Sequence, residues 1–146
     1  LGRFCTAVVV AAGCLDGEPV GFTAQSFVSL SLDPPLVGLC PAKISTSWPK
    51  IRDSGHFCIN ILSVDQQSIC DVFARSGGDK FAGLEWQPGV TGSPMLSGIL
   101  AYVDCALEVE HDAGDHTIAV GRVRDLAVIG DGAPLLFLQG TYGSFN

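Results

Sequence analysis

The run Ile99-Leu100-Ala101-Tyr102-Val103-Asp104-Cys105-Ala106-Leu107-Glu108-Val109 alternates in character from one residue to the next. Ile99, Ala101, Val103, Cys105, Leu107 and Val109 fall on one face, and Tyr102, Asp104, Glu108 and Glu110 on the other. A period of two belongs to a strand with one dry face, because successive side chains leave a pleated backbone on opposite sides. The turn Asp112-Ala113-Gly114-Asp115 then leads into a second strand, His116 to Asp125. Two long strands joined by so short a turn must be antiparallel.

The flanking sequence repeats that pattern on a smaller scale. Phe4 to Ala12 reads as a buried strand, and Glu18 to Thr23 as its hairpin partner after the turn Leu15-Asp16-Gly17. Leu36 to Cys40 and Phe57 to Leu62 are short apolar strands, and Pro134 to Gly140 is a last one after Gly130-Asp131-Gly132. Helices are few. Ser47 to Asp53 has Ser and Thr ahead of it as caps and Pro49 in its first turn. A second helix starts at Ser63, where Ser63-Val64-Asp65-Gln66 matches a capping box, and Ser76-Gly77-Gly78 ends it. Gly83 to Gly98 reads as an ordered loop. The expectation is a mainly β, antiparallel chain with two or three short helices, for which barrel and sandwich both fit the pattern.

Composition narrows the function. A length of 146 residues suits a single domain over 1–146, and 47% hydrophobic against 16% charged residues is enough for a packed core. The net charge of −7 repels phosphate backbones, which argues against a nucleic-acid partner. An anionic cofactor remains compatible, held through neutral donors. No apolar run approaches the roughly 20 residues that cross a bilayer, so no membrane partner is expected. The six cysteines lie inside apolar runs without CxxC pairs, as buried thiols do, and no Cys/His cluster has metal-ligand spacing. Leu1-Gly2-Arg3-Phe4 does not read as a signal peptide, which with the thiols points to the cytoplasm.

No Gly-rich dinucleotide or P-loop fingerprint is present, and no βαβ unit exists to carry one. Two polar segments stand out instead. One is Gly21-Phe22-Thr23-Ala24-Gln25-Ser26-Phe27-Val28-Ser29-Leu30-Ser31-Leu32-Asp33-Pro34-Pro35, and the other is Cys40-Pro41-Ala42-Lys43-Ile44-Ser45-Thr46-Ser47-Trp48-Pro49. Their hydroxyls, amide and lysine suit an anionic ligand, or simply cap turns and a helix.

These segments resemble the flavin-binding signature of the flavin reductase-like family, whose members supply reduced flavin to two-component monooxygenases. The likeness continues in order through Ser54-Gly55-His56-Phe57, Asp79-Lys80-Phe81, Gly114-Asp115-His116-Thr117-Ile118 and Gly140-Thr141-Tyr142. The resemblance implies an antiparallel Greek-key split β-barrel and a homodimer with flavin near the subunit interface. It places Thr23, Ala24, Gln25 and Ser26 along the isoalloxazine ring, and Ser29, Ser31, Lys43, Ser45, Thr46 and Ser47 on the ribityl chain and phosphate. Gln25 stands where relatives commonly carry Asn. Phe73, Arg75, Lys80 and Phe81 border the flavin region in the same pattern. His116, as the catalytic candidate, and Tyr142 lie toward the nicotinamide. The implied activity is hydride transfer from NADH or NADPH to FMN or FAD, with the reduced flavin passed to a separate monooxygenase. A non-catalytic flavin-binding module on the same barrel is the alternative.

The remaining candidates carry plainer readings. His56 is structural and His111 solvated. Trp48 is an anchor into the core. Arg122 and Arg124 are expected to meet the acids of the neighbouring strand.

Overall fold

The computed structural model describes residues 1–145. Seven strands form one sheet: β2 (Val9–Leu15), β3 (Glu18–Ala24), β4 (Val28–Leu32), β5 (Pro35–Leu39), β6 (His56–Ile61), β9 (Ala101–Ala113) and β10 (His116–Val128). Their order across the sheet is β3-β2-β6-β9-β10-β5-β4, with antiparallel pairing throughout. A smaller sheet joins β1 (Thr6–Ala7), β11 (Leu136–Leu138) and β12 (Thr141–Gly143), and a hairpin pairs β7 (Trp86–Pro88) with β8 (Pro94–Leu96). Two helices, α1 (Trp48–Ser54) and α2 (Gln67–Phe73), complete the chain, the second entered through a 3-10 turn at Val64–Gln66. The Greek-key split barrel implied by the resemblance is the architecture found.

The large sheet must curl, because residues from six of its strands meet in one core. Val9 and Ala11 of β2, Ala24 of β3, Val37 and Leu39 of β5, Phe57 and Ile59 of β6, Cys105 of β9 and Ala119 of β10 pack together there with Trp48 and Ile51 of α1. On its other face β2 sends Val10 and Ala12 into a second core, with Val8 just ahead of the strand, where they meet Phe73, Phe81, Ile99 and Leu135. A strand buried on both faces reads as a continuous apolar run, which is why Val8 to Ala12 shows no polar alternation. Each large side chain so buried contributes about 1.5–3 kcal/mol.

Turn chemistry sets the register. Asp16 and Gly17 both have positive φ (52° and 82°), the pair that a two-residue type I′ hairpin requires, and Leu15 accordingly faces Glu18.

Several expectations change in detail. The strand expected from Phe4 to Ala12 is two strands that part at Val8: β1 turns away to β11, while β2 stays with β3 and β6. Phe4 itself is exposed. Ser29-Leu30-Ser31 lies inside a strand, β4, whose exposed edge position leaves it without the usual burial signal. The Gly83–Gly98 loop contains the β7–β8 hairpin. That hairpin region covers Asp104, which is fully buried and accepts Thr91 N–H and Thr91 Oγ1–H at 3.0 and 2.6 Å.

The alternation along β9 also breaks. Val120 pairs with Val109 but Gly121 pairs with Leu107, so Glu108 is the extra residue of a bulge. The bulge reverses the faces beyond it. Val109, expected inside, is 42% exposed, and Glu110, expected outside, accepts the buried Trp48 Nε1–H at 2.7 Å. Arg122 forms the expected ion pair with Glu108, through Nε at 3.1 Å and Nη2 at 2.8 Å.

Candidate functional site

Three chain segments converge beside the β3 edge of the large sheet. The end of β3 brings Phe22, Thr23, Ala24, Gln25 and Ser26. The segment before α1 brings Cys40, Pro41, Ala42, Ile44, Ser45, Thr46 and Ser47, and the segment after α2 brings Phe73, Ala74, Arg75, Ser76 and Lys80. With His116 they line a hollow of about 400 Å³. No carboxylate lines it among the described residues, although the chain carries 15 acids against 8 bases.

Local packing explains why these segments meet. Gly21 lets Phe73 lie against β3: a Cβ there would sit 3.0 Å from both Phe73 Cε1 and the Ala11 carbonyl oxygen. Because β3 is an edge, the Gly21 carbonyl lacks a further strand. It accepts instead from Ser47 Oγ at 3.1 Å and Lys80 Nζ at 3.2 Å, and Lys80 also donates to the Phe73 carbonyl at 3.3 Å. Burial pulls the Lys80 ammonium below the usual lysine range. The helix start is held by Ser45, whose Oγ accepts Trp48 N–H at 3.1 Å. Ser45 is one of the hydroxyl residues expected to cap the helix from ahead of it, while Ser47, at the N-cap position itself, makes no such bond.

The expected site residues divide into two groups. Thr23, Ala24, Gln25, Ser26, Ser45, Thr46, Ser47 and His116 line the one hollow. Ser29 and Ser31 lie on β4 away from it, and Lys43, exposed, pairs with Asp112. Phe81 is buried in the second core, 5.0 Å from Phe73 between ring centroids. Tyr142 sits on the small sheet, where its hydroxyl meets Cys70 Sγ at 3.2 Å and donates to Asp71 Oδ1 at 2.9 Å. Those contacts and burial raise its pKa.

Not every hydroxyl in the hollow has its proton to offer. Thr23 donates to the Cys70 carbonyl at 2.7 Å, Ser26 to the Cys40 carbonyl at 3.3 Å, and Ser47 to Gly21. Ser45 accepts from Trp48 and keeps its own proton. The positive charge comes from Arg75 and Lys80, so the cradle is cationic rather than neutral. The ordered Asp79-Lys80-Phe81 motif was the sequence signal for Lys80, whereas Ala74 and Ser76 carried none. His116 is held by Asp115, whose Oδ1 lies 2.8 Å from Nδ1, leaving Nε2 as the ring nitrogen for a ligand. The same contact keeps the Asp115 carboxyl below its usual range.

An open, acid-free hollow with two cations, a backbone-rich wall and apolar patches at Phe22, Ala24 and Phe73 suits a flat ring carrying an anionic tail. Fold and site together define a flavin-binding split-barrel oxidoreductase. The flavin reductase like domain family matches residues 1–146, and the chain belongs to it.

The chain is 52% identical over 142 residues to the reductase subunit HsaB of a flavin-dependent monooxygenase from Rhodococcus jostii, covering 97% of this chain and 73% of that protein. It is 43% identical over 146 residues to the FMN reductase (NADH) SmoA of Agrobacterium fabrum, covering 100% of this chain and 83% of that one. The crystal structure of a nitrilotriacetate monooxygenase component B from Mycobacterium thermoresistibile superposes with a TM-score of 0.96 at 46% identity, covering 99% of this chain and 82% of that one.

Proposed function

We propose that the chain is a single-domain NAD(P)H:flavin oxidoreductase that moves hydride from NADH to FMN or FAD and releases the reduced flavin to a separate monooxygenase. The observation that carries this reading is the acid-free hollow in a chain of net charge −7, with Arg75 and Lys80 on its wall. A negatively charged cofactor enters there against no local repulsion. The relatives named as a reductase subunit of a flavin-dependent monooxygenase and as an NADH-dependent FMN reductase support the donor and the partner.

Bound flavin supplies the hydride-accepting chemistry itself. The chain's part is to bind and orient. Thr23 to Ser26 offer backbone and the Gln25 amide to the ring edge, Ser45 and Thr46 offer hydroxyls to the tail, and Lys80 and Arg75 hold its charge. His116, on the wall of the hollow, would meet the nicotinamide and help orient it toward the flavin. Mixing the protein with NADH and either free flavin should speed the loss of nicotinamide absorbance. His116→Ala should slow that rate while leaving flavin affinity nearly unchanged. No acceleration with either flavin and either nucleotide would end the proposal.

The sheet's outer face supports the homodimer that this reading includes. Val28, Gly38, Val120 and Val109 are successive register partners across β4, β5, β10 and β9, and Leu30 and Ile118 extend that row. Val28 and Leu30 are each 50% exposed, unusual for so continuous an apolar strip. His116 lies on the same face of β10 as Ile118 and Val120, so a second copy seated there would border the hollow. The cytoplasm is the compartment that suits the chain: all six cysteines are free thiols. Among the described residues no helix is long and apolar enough to cross a membrane.

A further inference from the structure

Gln25, on the wall of the hollow, is tied to a residue that does not line it. Thr6 of β1, 19 positions away in the chain, donates its hydroxyl proton to Gln25 Oε1 at 2.9 Å. From this contact we infer that Thr6 is a positioning residue for the flavin ring. It holds the Gln25 amide oxygen, so that the amide nitrogen is presented to the ring's carbonyl edge. The inference rests on the hollow being the flavin site.

Donor supply is the main argument. Of the four wall residues at the end of β3, Thr23 gives its proton to the Cys70 carbonyl and Ser26 to the Cys40 carbonyl, while Ala24 has none to give. An amide held through its oxygen keeps both N–H donors for a ligand. Gln25 is therefore the side chain of that stretch with protons left to offer. The pyrimidine carbonyls of a flavin accept such donors, and more strongly once reduction has put charge on them.

The anchor is held independently of the wall. β1 parts from the barrel at Val8, and Thr6 pairs with Phe137 of β11. Phe137 packs on Tyr142, 5.2 Å between ring centroids, and Gln139 N–H bonds the Gly2 carbonyl at 2.9 Å. The small sheet thus fixes the hydroxyl, and the hydroxyl fixes the amide. Gln25 is exposed, and a long side chain left free must lose rotamer freedom on binding. Restraining it beforehand strengthens binding without any new contact to the ligand.

Calorimetry on the wild type, Thr6→Val, Thr6→Ser, Gln25→Ala and the Thr6→Val/Gln25→Ala double variant tests this. Valine keeps the shape and the β-branch that suit a strand, and thermal melting of the free proteins checks the fold. Thr6→Val should weaken oxidised FMN and riboflavin by the same factor, about two- to tenfold, because the contact addresses the ring and not the phosphate. Anaerobically reduced FMN should lose a larger factor than the oxidised form. Thr6→Ser should restore the affinity, and Thr6→Val should add nothing to Gln25→Ala. Unchanged flavin affinity in Thr6→Val, or the same loss with and without the Gln25 amide, would make Thr6 a strut for β1 and overturn the inference. Equal losses for oxidised and reduced FMN would overturn it too. A wild type that binds neither flavin would instead remove the flavin site on which it rests.

Discussion

The large sheet has two edges, and the chain treats them oppositely. At β3 the edge carbonyl of Gly21 is taken by Ser47 and Lys80, Phe73 packs on the strand, and the covered edge becomes the wall of the 400 Å³ hollow. At β4 side chains do no such work: Val28, Leu30 and Leu32 are 50%, 50% and 90% exposed. A bare apolar edge is an association hazard unless something covers it. The contrast teaches that one edge is completed within the chain by polar side chains, whereas the other is left bare, as the proposed dimer requires.

Breaking the β4 side should have the largest effect. Leu30→Asp puts an unpaired carboxylate into the proposed dimer face, and dimer dissociation should strengthen by about 100-fold or more. Analytical ultracentrifugation reads it, and an unchanged mass would place the interface elsewhere. At the covered edge, Lys80→Met removes the half-buried ammonium, so FMN affinity should fall by about 10- to 100-fold while the mass stays that of the wild type.

Paired glycine substitutions sharpen the contrast in stability. Gly21→Ala drives a Cβ onto the Ala11 carbonyl oxygen and Phe73, and should cost about 1–3 kcal/mol in chemical denaturation. Within one chain Gly38→Ala meets only the ends of the flexible Val28 and Leu30 side chains, at 3.0 and 3.3 Å, and no backbone. Its cost should be within about 0.5 kcal/mol. Equal losses would mean that the two edges are packed alike.

The smallest effect is in pH dependence. The His116 contact depresses the folded-state pKa of Asp115, so its contribution is present above the unfolded carboxylate pKa and fades as pH falls through the folded one. Asp115→Asn should therefore lower the melting temperature slightly at neutral pH and not at all in strong acid. A deficit that persisted in acid would show the contact to be purely structural.

What was legible in advance follows the range of the interactions. The hairpins at Asp16-Gly17 and Gly114-Asp115 and the capping box at Ser63 and Gln66 depend on residues a few positions apart, and they formed as read. The likeness to a family supplied the Greek-key closure that alternation alone left open. Short-range patterns missed β4, whose exposed residues carry no burial signal, and Glu110, whose inward turn depends on a bulge in its pairing with β10.

By itself, then, the sequence determined the antiparallel hairpins, a buried strand ending at Ala12 and the polar segments flanking β3 and α1, because periodicity and turn chemistry are local. Only the tertiary structure decided that Thr23 to Ser26, Ser45 to Ser47, Arg75, Ser76 and Lys80 share one hollow and that Ser29, Ser31, Lys43, Phe81 and Tyr142 lie outside it. The physical reason is that such neighbours come together across the curl of the sheet and the seat of Phe73 on Gly21, contacts between residues far apart in the chain.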